Sequence, residues 1–226
     1  FKDVFVDING NIYATGRIRN TNLDLLAVKY NAAGSLLWEV SYNVGTSNEE
    51  GEELTVGDSG NVYIAGSTAS TGASYVDMYI LKINALGIPQ WHKSYAGVGA
   101  AVDQAFSVAV GDSGNVYITG NSFGGAGTNY DVTTIKYGLN GTQKWVAKYS
   151  PVGYQLGNKV LTDDSGNVYV QARTGDYTLI KYGSDGQQKW ISHYNGPHNY
   201  NDEPSDMCRD IYGNIYITGY AEDTAA

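Results

Sequence analysis

The apolar positions along the chain fall in short runs, and no segment sustains the 3.6-residue period of an amphipathic helix. The runs recur. Residues 111–120 read GDSGNVYITG, and DINGNIYATG (7–16), GDSGNVYIAG (57–66), DDSGNVYVQA (163–172) and DIYGNIYITG (210–219) nearly repeat them. Each copy opens with a polar four-residue corner and continues into a stretch apolar at nearly every position. Such a strand is expected where both faces of a sheet are covered. The Gly-Asn pairs, at 10–11, 60–61, 114–115, 166–167 and 213–214, are 50, 54, 52 and 47 residues apart.

Other landmarks keep the same register. An Asp is followed five residues later by Lys at Asp24/Lys29, Asp77/Lys82, Asp131/Lys136 and Asp176/Lys181. A Gly, a Trp and a Tyr follow at intervals of four: Gly34/Trp38/Tyr42, Gly87/Trp91/Tyr95, Gly141/Trp145/Tyr149 and Gly186/Trp190/Tyr194. Each unit reads as four strands, a to d; in the third they are FSVAV (106–110), NVYITG (115–120), DVTTIKY (131–137) and TQKWVAKY (142–149). Four short strands per 40–50-residue unit predict an all-β fold, a β-propeller of four-stranded antiparallel blades. Four full repeats plus a half repeat are expected, at about 1–48, 49–102, 103–154, 155–201 and 202–226. The last unit stops after strand b, and the expectation is that the chain forms part of a larger propeller.

The landmarks read first as scaffold. In the DSGN corners Asp and Ser offer oxygens to nearby N–H groups, while Gly and Asn tolerate left-handed φ. A four-residue corner lacks the alternating oxygen ligands of a calcium loop, so no metal is expected. The glycine closing strand b (Gly16, Gly66, Gly120, Gly219; Ala172 in the fourth copy) is expected where another backbone approaches closely. Trp38, Trp91, Trp145 and Trp190 are expected between blades. The strand-c lysines are expected to reach corner carboxylates such as Asp58, Asp112 and Asp164, and the strand-c Asp to cap the b–c loop.

Taken together, D-x-x-G-N-[IV]-Y-[IV]-x-G, D-x-x-x-x-K-[YI] and G-x-x-x-W-x-x-x-Y resemble the bacterial β-propeller repeat abbreviated SBBP, over essentially the whole chain. The resemblance implies an exported bacterial protein, extracellular or at the cell surface, often with other domains in a longer chain. The G-x-x-x-W segments GTQKW and GQQKW are also similar to the Trp-docking motif of quinoprotein propellers, a likeness of packing that carries no cofactor with it.

Composition changes the picture in three places. A net charge of −9 argues against nucleic acid, because phosphate binding needs a basic face. No window approaches 18 consecutive apolar residues, so no membrane insertion by a helix is expected. The single cysteine, Cys208, forms no internal disulfide and is expected to sit half-buried on a strand. The chain begins at Phe1 without a leader, and is expected to be processed or to be a piece of something longer.

Alternating strand direction puts the a–b and c–d corners on one face and the b–c and d–a connections on the other. The corners are short and nearly constant; the connections are long and differ in every repeat. Binding residues belong on such variable connections. The candidates are Tyr75, Phe123, Tyr130, Tyr154, His198, Tyr200, Glu49, Asp103 and Asp202. The last three lie twelve residues before the corner Asn, where the fourth repeat has Gln155, so they serve either to cap strand a or to touch a ligand. His92, His193 and His198 form no metal-spaced cluster, two of them lying on strands d where solvent is expected. No phosphate-cradling loop is present. The functions left are a non-catalytic module binding a partner protein or glycan, a structural or adhesive spacer, or a polysaccharide-active enzyme with carboxylates around the central channel.

Overall fold

A computed structural model describes residues 1–44, 48–69, 75–111, 113–125, 127, 129–196 and 202–221. They form a β-propeller of eighteen strands with no helix. The first blade is β1 (Asp3–Val6), β2 (Ile12–Arg19), β3 (Leu23–Tyr30) and β4 (Leu36–Tyr42). The second is β5 (Asn48–Val56), β6 (Val62–Ala69), β7 (Val76–Ile83) and β8 (Pro89–Tyr95). The third is β9 (Gln104–Val110), β10 (Val116–Gly125), β11 (Asn129–Tyr137) and β12 (Gln143–Tyr149). The fourth is β13 (Leu156–Thr162), β14 (Val168–Arg173), β15 (Tyr177–Tyr182) and β16 (Gln188–Tyr194), and the fifth sheet holds β17 (Asp202–Arg209) and β18 (Ile215–Ala221). Every sheet pairs its strands antiparallel in chain order.

The core consists of slabs between blades. One slab joins Tyr13 and Leu25 to Leu54 and Ile64, a second joins Tyr63 and Ile80 to Val108 and Ile118, and a third joins Tyr117 and Val132 to Val160 and Val170. Ile64, Ile118 and Val170 occupy one repeat position and are fully buried. Each contributes about 1.5–3 kcal/mol by leaving water.

Bulges aim side chains in both inner and outer strands. Strand a slips register at Gly51/Glu53, at Gly157/Lys159 and at Pro204/Asp206, and β9 against β10 at Thr119/Gly120. The close approach predicted at the closing glycine happens at this kink: a Cβ on Gly120 would lie 1.8 Å from the Gln104 carbonyl oxygen. The c–d pairs slip just after the strand-c lysine, leaving Lys82 opposite Trp91 and Lys136 opposite Trp145.

Both groups of each pair then leave their own blade. Trp91 Nε1 and Lys82 Nζ donate to one acceptor, the Leu139 carbonyl of the next blade, at 3.1 and 3.2 Å. Trp145 Nε1 and Lys136 Nζ donate likewise to the Ser184 carbonyl, and Trp38 Nε1 to that of Ala85. Each ammonium also covers a tyrosine of its own strand b, as Lys82 covers Tyr63 at 5.5 Å. The expected reach of Lys82 and Lys136 to corner carboxylates is therefore corrected to a backbone carbonyl, because stacked blades put the next c–d corner nearer. Asp112 lies outside the described residues.

In three corners the oxygens come from the residue before the four-residue turn, not from the Asp and Ser expected within it. Asp163, one residue earlier, accepts from the Ser165 and Asn167 amides, the Asn167 side chain and the Tyr169 hydroxyl. Asp7 and Asp210 do the same in their corners. Asp164 instead pairs with Arg209. Cys208 is exposed, since the β17–β18 sheet has no further described blade against it.

Candidate functional site on the variable face

Two side-chain layers occupy the face carrying the b–c and d–a connections. The upper layer is aromatic. Phe123 lies near the end of β10, Tyr130 at the start of β11, and Tyr154 on the connection leading to β13. Asn129 adopts a left-handed φ of 67° immediately before Tyr130, and the β10–β11 register slips between Phe123 and Gly125. This irregular backbone brings the three rings together, with centroids 5.6 Å apart for Phe123–Tyr130 and 5.0 Å for Tyr130–Tyr154, both edge-on. An isolated parallel bridge joins Tyr130 to Tyr154, and the Gln155 amide donates to the Tyr130 carbonyl at 3.1 Å. Tyr154 remains 53% exposed on this fixed support. Partial burial, and then the neighbouring Tyr130, push its phenol above the usual range. Tyr75 is 42% exposed just ahead of β7 and joins none of these ring pairs. His198 and Tyr200 lie outside the described residues.

The lower layer is carboxylate and fully buried. Asp103 accepts from the Gly97 amide at 2.7 Å and the Phe123 amide at 2.9 Å, while its own amide donates to the Val76 carbonyl of the preceding blade. Asp202 accepts from the Gly196 amide and donates its own to Gly175. Glu49 accepts from Thr68 Oγ1 and the Val44 amide. All three residues, with Gln155, are at most 1% exposed. They tie the incoming d–a connection to the end of strand b and to the previous blade, beneath the surface a ligand would meet. Of the two roles the sequence left open, this placement fits capping.

Sequence reading missed the partners of these acids. Glu49 and Asp103 each lie against the strand-c Asp of the blade before it, Asp24 and Asp77 respectively. Asp24 is nearly buried and accepts from Asn20, Asn43 and Ser41, the Asn20 bond foremost in holding its carboxyl below the usual range. Glu49 is pushed up, chiefly by burial and in part by the charge of Asp24. Asp77 is likewise raised by burial and then by Asp103. The strand-c Asp therefore does hold the b–c connection, through Asn20 in the first blade. The repeat interval alone gave no sign that the two acids meet, because they come from different blades.

A third group surrounds the axis. Asp3, Glu53, Ser107, Lys159 and Asp206 all stand eight residues before their corner Asn. Asp3 accepts from the Leu54 amide, Glu53 from Val108 and Ser107 from Val160, each stapling the next blade's inner strand. Lys159 pairs with Glu53 of the blade two before it and lies 3.7 Å from Asp206. Carboxylates do gather around the axis, but Asp3 and Glu53 are held by backbone amides and Glu53 also by an ammonium. Among the described residues no group of three or more His, Cys, Asp or Glu is arranged to hold a metal ion.

His92 corrects another expectation. It bonds to the Tyr42 hydroxyl at 2.8 Å and stacks on Tyr79, so it belongs to the interface between the first two blades, not to solvent. Burial, and then Lys93, lower its pKa. His193 is exposed and bonds to Thr178.

No family model and no curated protein matches this sequence. Solved structures do. A protein of unknown function from Bacteroides caccae superposes with a TM-score of 0.58 at 12% identity, over 92% of this chain and 64% of its own. A gluconolactonase from Xanthomonas campestris gives 0.58 at 15% identity, over 96% of this chain and 68% of its own. PorZ, a surface component of the type-IX secretion system of Porphyromonas gingivalis, gives 0.52 at 13% identity, over 96% of this chain and 30% of its own. At these identities the likeness is one of fold. The same scaffold carries an enzyme in one neighbour and a secretion component in another.

Proposed function

We propose that this propeller is a non-catalytic binding module of an exported bacterial protein, and that it holds a glycan on the ring cluster of Phe123, Tyr130 and Tyr154. The observation that carries the reading is the half-exposed Tyr154, fixed by a backbone bridge beside Tyr130 on the face the scaffold leaves variable. A rigid ring left about half exposed suits the flat apolar faces of sugars. The net charge of −9 favours a neutral glycan over an acidic one. The repeat signature supports membership of the SBBP class, and the surface location of PorZ supports an extracellular setting.

A glycan array probed with the intact chain and with Tyr154→Ala tests this reading. Specific hits that vanish in the variant support it. Hits that persist unchanged move the site elsewhere. Turnover of a bound polysaccharide would favour the enzymatic alternative around Asp3, Glu53 and Asp206.

A further inference from the structure

Strand b of the last sheet has the sequence of a buried strand and the surroundings of an exposed one. β18 reads IYITGYA against VYITGNS at the start of β10, yet β10 is buried over its first seven residues while β18 is half-buried or exposed throughout. Ile217 is only half-buried at the position where Ile64, Ile118 and Val170 are fully buried. Tyr216 is 52% exposed, whereas its equivalents Tyr13, Tyr63, Tyr117 and Tyr169 are buried. Those four each lie under a strand-c ammonium, at 4.9, 5.5, 5.3 and 4.8 Å. Among the described residues Tyr216 has no such cation, and no strand pairs with the outer edge of β18.

Trp190 repeats the pattern one blade earlier. Trp38, Trp91 and Trp145 are half-buried, each donating to a corner carbonyl two residues before the glycine of the next blade. A Cβ on Gly87, Gly141 or Gly186 would fall within 2.9 Å of those indoles. Trp190 is 40% exposed, with no described corner above it. An open groove of about 580 Å³ lies between the fourth and fifth sheets, lined by Tyr177, Leu179, Tyr194, Ile215 and Ile217 among others.

The geometry points to a docking site for a β-hairpin of this same repeat type, seated on the outer edge of β18 with its glycine corner against Trp190. Three filled interfaces define the occupant. Its first strand supplies main-chain pairing to β18 and a lysine over Tyr216. Its corner supplies a carbonyl for Trp190 Nε1 and Lys181, followed two residues later by a glycine. The edge of β18 facing away from β17, where no described strand pairs, is the template for such strand addition. This inference is independent of the aromatic cluster on the variable face.

The chain itself provides the probe. A synthetic peptide of residues 131–149, DVTTIKYGLNGTQKWVAKY, carries strand c, the corner and strand d of the third blade; Trp145→Phe in the peptide leaves the protein's indoles as the only reporters. Binding at one peptide per chain is expected to shift Trp190 emission to the blue and to protect the β18 amides facing away from β17 from hydrogen exchange. Trp190→Ala in the protein, or Gly141→Val in the peptide, should weaken binding at least tenfold. Because isolated hairpins are marginally stable, the same hairpin is also appended genetically behind residue 226, where it should produce the same emission shift and exchange protection. Equal binding of the Gly141→Val peptide, or no change in emission and exchange with the appended hairpin, overturns the proposal. So does a blue shift that grows with protein concentration alone and sediments as a dimer. That result would assign the edge to a second copy, whose Gly34 corner is open.

Discussion

The indole of Trp145 fills the space that a side chain at Gly186 would occupy: a Cβ built there would lie 2.8 Å from Trp145 Cγ. Gly186 also holds φ at +82°, and Gly34, the same position in the first blade, holds +79° with nothing within 4 Å. The two sites share backbone strain and differ only in the neighbouring blade. Gly34→Ala is expected to cost about 1 kcal/mol, from strain alone. Gly186→Ala should cost about 2–4 kcal/mol, since overpacking adds to the strain. Urea unfolding of both variants measures the difference, and equal losses would mean that the indole yields without cost.

Glu49 is expected to weaken the fold as it ionises. Burial, Asp24 included among its neighbours, raises its folded pKa above the unfolded value. Stability from this group is therefore complete below the unfolded pKa and falls as pH rises through the folded one. Gln155 stands at the same repeat position and bears no charge. Glu49→Gln should raise the thermal midpoint by about 2–4 °C at pH 7 and leave it nearly unchanged at pH 4. Melting curves at the two pH values test this, and a variant less stable at both would show that the carboxylate's bonds to Thr68 and Val44 outweigh its desolvation.

The Glu53–Lys159 pair joins the second and fourth blades across the axis. Lys159 is held above its usual pKa, burial opposing the charge and Glu53 more than offsetting it. Both side chains keep some water contact, so a double-mutant cycle of Glu53→Gln and Lys159→Met should give a coupling of about 1–2 kcal/mol, below the fully buried limit. Glu53→Gln should be the costlier single change, because it also weakens the acceptor for the Val108 amide. A coupling near zero would show the pair to be a contact without energetic weight.

Tyr154→Ala is expected to lower affinity for whatever glycan the module binds by ten- to a hundredfold, and Tyr154→Phe by much less, because stacking and not the hydroxyl carries the contact. Isothermal titration measures both, with an unchanged thermal midpoint as the control. Tyr130→Ala should lower affinity and midpoint together, since Tyr130 supports Tyr154 from below. A Phe variant as weak as the Ala variant would place the energy in the phenol instead.

The sequence determined the repeat and everything the repeat enforces. Strands apolar on both faces require stacked sheets, and tryptophans at one register position require one shared job; both could be read from Gly34/Trp38/Tyr42 and its three successors. It also separated constant corners from variable connections. Only the tertiary structure decided which residues of different blades meet. Lys82 and Trp91 share the Leu139 carbonyl, Asp24 lies against Glu49, Lys159 crosses to Glu53, and Phe123, Tyr130 and Tyr154 form one cluster. Those contacts span 24 to 106 residues or depend on one bulge and one left-handed Asn, and a periodic pattern records which face a side chain takes, not the neighbour that stacking brings to it.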